Sequence, residues 1–319
     1  MVHEFRKVGT NALVTGASGF IGAHLVSRLL SEGSRVTVLA RSRGALPAEW
    51  RDRVRIIACD DFAAGNLRRL LDEPVETVFH LAAYGVKPAH RNIDEMLRIN
   101  VELPALLVQL CIEWQARMVM AGTFAEYRSP SAQALLTEDS PLEQGKLYGS
   151  SKAAGGLMAS AIANSSGTGF RLLRLFKVYG AGEAPHRLLP ALVSGLAKRE
   201  RVAISLGTQV LDFVYIDDVV EAMLCADAHC REKGGIAIWN VATGRAHSVR
   251  EFAEHVAAAM KAEASLLGFG AIAMRKDDEP WLVGSPDLLR SELGWQPSTG
   301  LEDGVRAAVA ALCRTRGEE

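Results

Sequence analysis

The sequence predicts an α/β protein built on a doubly wound parallel sheet, with a smaller, discontinuous C-terminal α/β region. Three observations lead there. Short apolar runs of strand length alternate with segments of helical period between Asn11 and Leu175. Gly16, Gly19 and Gly22 recur three residues apart at the first strand-to-helix turn. Beyond about residue 177 the regular alternation weakens.

Asn11 to Thr15 is predicted as a short buried strand, and Phe20 to Leu30 as a helix with apolar residues at helical spacing. The turn between them must bend tightly, admit a pyrophosphate against the backbone and seat the helix close on the strand. Glycine meets each demand, and the helix N-terminus offers free N–H groups to phosphate. Strand two, Arg35 to Ala40, ends where a dinucleotide site selects its ribose. A carboxylate there would accept from the 2′-hydroxyl of NAD, whereas a cation suits the 2′-phosphate of NADP. The chain offers Arg41 and Arg43 and no carboxylate, so NADP(H) is the expected cofactor and NAD(H) the second choice. Solvated loop arginines are the alternative reading.

Val54 to Cys59 is the third strand, ending at Asp60 and Asp61, where a carboxylate could meet an adenine amino group. Thr77 to Leu81 is the fourth, and the small side chains of Ala82 and Ala83 after it would let a flat cofactor lie against the backbone. Met118 to Ala121 and Phe170 to Leu175 are the fifth and sixth, separated by helical segments that include Asn100 to Gln115 and Gly149 to Ala163. Further on, Pro185 to Arg199 is predicted as a loop and an amphipathic helix, and Asp212 to Ile216 as a strand. Asp217 or Asp218 is predicted to cap the helix Val219 to Asp227, in preference to binding a metal. A strand Ile236 to Val241, a helix Val249 to Lys261 and a last helix near Leu301 to Leu312 complete the chain. These elements divide it into a dinucleotide-binding domain, residues 1–176 plus about 212–242, and a substrate domain, about 177–211 plus 243–319.

Composition narrows the function classes. With 49% hydrophobic and 23% charged residues and a net charge of −1, the 319-residue chain shows no sign of a nucleic-acid or membrane-surface partner. Its five cysteines have no metal-ligand spacing and suggest reduced thiols in the cytoplasm. The glycines, Thr15 and Ser18 interrupt the apolar stretch from Ala12 to Gly22, which argues against a signal peptide, and no run is long enough to suggest a membrane span.

The chemistry centres on Tyr148-Gly149-Ser150-Ser151-Lys152. Four residues apart on a helix, a tyrosine and a lysine share a face one turn apart, so the ammonium can lie near the phenol oxygen. A neighbouring cation favours phenolate and would bring the phenol, ordinarily near pKa ~10, toward the range of efficient acid/base catalysis. The same spacing also fits a solvated helix face.

With these residues placed, the chain resembles the extended short-chain dehydrogenase/reductase family of sugar-nucleotide epimerases, dehydratases and reductases, which carry a Rossmann fold. The resemblance covers nearly the whole chain. It rests on Thr15-Gly16-Ala17-Ser18-Gly19-Phe20-Ile21-Gly22, His80-Leu81-Ala82-Ala83, Asn100 opening its helix, Gly122-Thr123, Tyr148 to Lys152, Phe213 to Asp218 and Leu293-Gly294-Trp295-Gln296-Pro297. It implies that the first of these runs, Leu81 to Ala83 and Asn100 serve the cofactor. It further implies Tyr148 as proton donor or acceptor, Lys152 as the group that binds the nicotinamide ribose and tunes the tyrosine, and Thr123 as a hydrogen-bond partner of the reacting oxygen.

Dehydratases of the family carry an Asp-Glu pair directly after the threonine; here Phe124 and Ala125 stand there, and neither can move a proton. Glu126 follows, as a partner for a nearby cation or as a group facing substrate. The Gly-Thr-x-x-Glu-Tyr pattern, Leu81 to Gly85 with Tyr84 toward substrate, and Leu211-Asp212-Phe213 look most like nucleotide-linked 4-keto-6-deoxysugar reductases. Against the family pattern, Lys177 replaces an asparagine that touches substrate, Leu211 an arginine for the diphosphate, and Arg128 a glycine. Lys177, with Arg187 and Arg275, is expected to supply phosphate charge lost at Leu211; a surface lysine beside a reshaped pocket is the alternative. His186 reads as a loop residue. The competing functions are a 4-epimerase retaining NAD and a non-catalytic NADP-binding regulator, the latter disfavoured by the presence of Thr123, Tyr148 and Lys152 together. The resemblance also suggests a homodimer through the helices Asn100 to Gln115 and Tyr148 to Ala163.

Overall fold

The structure is a computed structural model that describes residues 11–317 apart from 43–45, 51, 60–61, 87–89, 91, 131 and 275–278. Arg43, Asp60, Asp61 and Arg275, four of the expected ligand contacts, lie outside the described residues.

The N-terminal half alternates as expected. β1 (Asn11–Thr15), α1 (Phe20–Ser31), β2 (Arg35–Ala40), β3 (Val54–Ala58), α2 (Ala64–Leu70) and β4 (Thr77–His80) are followed by α3 (Ile93–Leu97), α4 (Leu103–Trp114), β5 (Arg117–Thr123), α5 (Leu147–Ser166) and β6 (Phe170–Leu175). Then come β7 (Lys177–Tyr179), α6 (Leu188–Ala197), β8 (Val202–Ile204), β9 (Val210–Leu211), β10 (Phe213–Tyr215), α7 (Ile216–Lys233) and β11 (Ile236–Val241). The chain closes with β12 (His247–Ser248), α8 (Val249–Ala259), β13 (Leu267–Phe269), β14 (Trp281–Leu282), α9 (Asp287–Leu293) and α10 (Leu301–Arg316).

Seven strands form one sheet in the order β3-β2-β1-β4-β5-β6-β11, every neighbouring pair parallel. The central strands are apolar on both faces because helices cover both. Val14, Val119 and Leu173 face one core with α1 and α7, and Leu13, Met118 and Leu172 face another with α4 and α5. Strand order reverses between β1 and β4, where a crevice opens beyond the strand C-termini. A third core, from Leu189, Leu192, Phe213, Phe252 and Val305, holds α6, α8 and α10 together beside the sheet.

Two expectations fail here. Asp217 and Asp218 do not cap α7: its N-cap is Tyr215, with no side-chain cap bond, and both carboxylates lie in the first turn. Asp218 is buried and accepts from Ser298 N and Oγ at 2.9 and 2.8 Å and from Thr299 N at 3.1 Å, tying the approach to α10 onto α7. Asn100 does not open an α-helix; it sits in a π-helical stretch, Arg98–Glu102, between α3 and α4. No helix among the described residues is long and apolar enough to cross a membrane, and all five cysteines are free thiols.

Candidate active site

The crevice is built from the turn after β1 upward. Gly16 has φ +72°, and a Cβ there would lie 2.6 Å from Ala82 N and from the Leu81 carbonyl carbon; only glycine lets this turn rest on the segment after β4. At Gly22 a Cβ would meet the Gly16 carbonyl oxygen at 2.2 Å, so α1 can seat on the turn only through glycine. Gly19 is the N-cap of α1, with no side-chain cap bond and no acidic residue in the first turn. The opening N–H groups of that helix, at Phe20 and Ile21 beyond exposed Ser18, remain for an anion. Glycine cradle, uncapped helix and the small residues Ala82 and Ala83 fit the pyrophosphate and flat ring of a dinucleotide. Arg41 is exposed just past β2.

α5 carries the tyrosine and lysine and lies unusually close to its neighbours. A Cβ on Gly149 would sit 1.9 Å from the Ala125 carbonyl oxygen, and one on Gly155 1.8 Å from that of Asn100. This close fit presents half-buried Tyr148 at the crevice while Lys152 passes underneath. Asn100 is fully buried and its amide is spent on the protein. It accepts from Tyr84 N at 2.8 Å and donates to Tyr84 O at 2.8 Å and Ser151 Oγ at 2.9 Å, and Ser151 Oγ donates to Tyr148 O at 2.9 Å. It therefore braces the walls of the crevice, where the sequence suggested a direct cofactor contact. Tyr84 stacks on His90 with ring centroids 4.5 Å apart.

Tyr148 lies close enough to Thr123 for the threonine side chain to act on the phenol, so these two groups meet as expected. The electrostatics differ from expectation. Burial first, then the nearby Glu126 carboxylate, push the phenol up to about 12, against smaller opposing effects of Arg187 and the Thr123 side chain. The ammonium of Lys152 donates to the Ala121 carbonyl oxygen at 2.9 Å instead of lying on the phenol oxygen, and burial holds its own pKa below the ordinary value.

Glu126 resolves toward the cation. It is fully buried; Oε1 accepts from Thr123 N at 2.9 Å and Oε2 from Arg174 Nε at 2.9 Å, so it presents nothing to substrate. Phe124, where a dehydratase would carry an acid, packs against Phe176 with centroids 6.0 Å apart. Lys177 and Arg187 both lie near half-buried Glu183, whose carboxyl is raised by burial and held by the Gly180 N–H at 3.2 Å; Arg187 also lies near Tyr148. His186 is an exposed loop residue.

Sequence reasoning assigned no role to three residues here. His80 is fully buried, with Nδ1 2.8 Å from Thr15 Oγ1, and burial followed by the Lys152 charge holds its pKa well below the ordinary value. Glu183 lies near two cations. Arg174 lies inside the sheet, and a buried arginine in strand β6, where Arg171 is the other, was the available signal, since its charge must find polar partners within the protein.

A model of the NAD-dependent epimerase/dehydratase family matches residues 12–242. Among curated proteins, CDP-abequose synthase of Salmonella typhimurium is 26% identical over 309 residues, which cover 94% of this chain and 97% of that protein. The dTDP-6-deoxy-L-talose 4-dehydrogenase (NAD(P)(+)) of Kitasatospora kifunensis is 30% identical over 304 residues, 92% of each. Among solved structures, MoeE5 in complex with UDP-glucuronic acid and NAD aligns with a TM-score of 0.81 at 30% identity, over 96% of this chain and 99% of that one.

Proposed function

The chain belongs to the NAD-dependent epimerase/dehydratase family, and from that premise we propose that it reduces the C4 keto group of a nucleotide-linked 4-keto-6-deoxyhexose, with NADPH as preferred reductant. The observation that carries this reading is the Tyr148 phenol placed beside Thr123, with Phe124 and Ala125 following the threonine where elimination needs acids. A relative named as a 4-dehydrogenase of a dTDP-6-deoxyhexose, using either nicotinamide cofactor, supports the same carbon and the same class of sugar.

A nicotinamide cofactor bound in the glycine cradle supplies the hydride. Tyr148 gives its proton to the oxygen that becomes the C4 hydroxyl, and the Thr123 hydroxyl hydrogen-bonds that oxygen as negative charge gathers on it. Lys152 places a cation beneath the site. Gly16, Ser18, Gly19, Phe20, Ile21, Gly22 and the Leu81 to Ala83 backbone are the proposed cofactor wall, and exposed Arg41 the 2′-phosphate contact. Lys177 and Arg187, with Glu183 between them, are the proposed contacts for the substrate diphosphate, and Tyr84 for its sugar. In this reading residues 1–176 plus about 212–242 hold the cofactor and the remainder holds the substrate. A homodimer through α4 and α5 is part of the proposal, because Leu157 and Met158 on α5 are 54% and 50% exposed; a single-chain mass by light scattering would remove it.

The test is to mix purified protein with NADPH and a panel of nucleotide 4-keto-6-deoxyhexoses and follow the reduced nicotinamide band. Oxidation with at least one is expected; none with any of them sinks the proposal. The second reading, a 4-epimerase with retained NAD, is favoured by the likeness to a structure that holds NAD. The spectrum of cofactor released on denaturing the protein separates the two.

A further inference from the structure

Thr123 stands on a buried ion pair whose position no catalytic step requires. The Glu126 carboxylate grips Thr123 N with one oxygen and Arg174 Nε with the other, both at 2.9 Å. Arg174 Nη1 then donates to Tyr127 Oη at 2.9 Å and to the Glu138 carbonyl at 3.2 Å, and its guanidinium lies over the Tyr127 ring, 4.7 Å from the centroid. Tyr127 Oη donates to Asn240 Oδ1 at 2.6 Å, and Asn240 Nδ2 donates to the Leu136 carbonyl at 2.9 Å. Leu136 in turn exchanges backbone hydrogen bonds with Val283 and Ser285, 2.8 Å each, in the C-terminal segment. A continuous polar chain thus runs from Thr123, through β6 and β11, to the C-terminal segment at Val283 and Ser285.

Stability alone gives little reason for it. Burying an ion pair costs desolvation that its attraction seldom exceeds, and an apolar pair of the same volume stabilises at least as well. The pair occupies the one place from which it can hold the backbone of Thr123, and the Glu126 charge also reaches Tyr148 and Lys152.

We propose that Glu126 and Arg174 are positioning residues that fix the Thr123 backbone, so that its hydroxyl and the Tyr148 phenol converge on the same substrate oxygen. The proposal rests on the ketone-reduction reading for its kinetic arm only. Arg174→Met should lower kcat on the order of 10²-fold, as displacement by about 1 Å does, with KM for NADPH and the nucleotide sugar changed by less than about threefold. Arg174→Lys keeps the charge and should recover part of the loss. Because Arg174→Met leaves a carboxylate buried alone, the decisive variant is the double Glu126→Leu/Arg174→Met, which leaves no unpaired charge. It should melt near the wild-type temperature and still turn over slowly.

Hydrogen exchange supplies a readout without substrate. The peptide spanning residues 119–127 should lose protection in the double variant while peptides from β1 and β2 do not. A double variant with wild-type kcat, or unchanged exchange across 119–127, overturns the proposal. Absence of wild-type turnover on every keto sugar overturns the reductase reading instead, and the exchange result still decides the role of the pair.

Discussion

In the proposed reductase, Tyr148 is the proton donor at the scale of a single residue. With its phenol raised to about 12, the acid form is the one present at every pH the protein is expected to tolerate. A proton donor is what ketone reduction needs, so ionisation of this group removes no reductive rate between about pH 7 and 10. The reverse oxidation needs phenolate and should quicken about tenfold per pH unit over the same range. Tyr148→Phe should lower kcat for reduction by about 10²–10⁴-fold with KM little changed, measured as initial rates at several pH values. A falling alkaline limb near pH 8 in wild type that vanishes in the variant would show instead that bound ligand drops the phenol into the neutral range. The role of Tyr148 was legible in the sequence and its raised proton affinity was not: the four-residue spacing placed the tyrosine and lysine on one helix face, but burial and a carboxylate 22 positions away raise the phenol.

At the scale of elements, the catalytic geometry depends on how closely α5 is seated. Gly155→Ala would drive a methyl group against the Asn100 carbonyl, so helix and π-helical stretch must part. We expect a loss of about 1–3 kcal/mol in stability, typical of overpacking, and a rate loss beyond it, because Tyr148 and Lys152 move with the helix. Gly65→Ala in α2, where a Cβ meets nothing within 4 Å, is the control and should stabilise by about 0.5–1 kcal/mol. Thermal melts and initial rates of both variants check this; equal behaviour would mean that α5 tolerates displacement. Elements of this kind were the readable part. The strands at 35–40, 170–175 and 236–241 match expectation residue for residue, because parallel strands covered on both faces are mostly apolar, as these are around Thr37, Arg171, Arg174 and Asn240. The two- and three-residue strands β7 to β9 and β12 to β14 carry too few residues to show a period, whereas β10 falls within the strand expected at Asp212 to Ile216. Asp218 looked like a cap because a carboxylate at a helix start usually is one, and its partners lie 80 positions away.

At the scale of the molecule, one buried carboxylate joins the segment after β11 to the C-terminal segment beyond β14. Asp212, between β9 and β10, accepts from Thr243 N and Oγ1 at 2.9 and 2.7 Å, from Gly244 N at 2.9 Å and from Gly284 N at 3.3 Å. Burial nevertheless outweighs these bonds and raises its carboxyl to about 6. A carboxyl raised in the folded state favours folding most when protonated. Its contribution is therefore complete below the ordinary value near pH ~4 and is lost as pH rises through about 6. A shift of this size corresponds to at most about 3 kcal/mol. The expected signature is a component of urea stability that declines between about pH 4 and 7 in wild type and is absent in Asp212→Asn, which cannot ionise. Because the carboxylate ties Thr243 and Gly244 after β11 to Gly284 beyond β14, the same titration should loosen these two segments before the sheet. Exchange of the peptides spanning 243–248 and 281–285 should then quicken from pH 5 to pH 7, beyond the intrinsic effect of pH, while β1 and β2 remain protected. Equal slopes in wild type and variant would show that the four hydrogen bonds, not burial, govern the charge of Asp212.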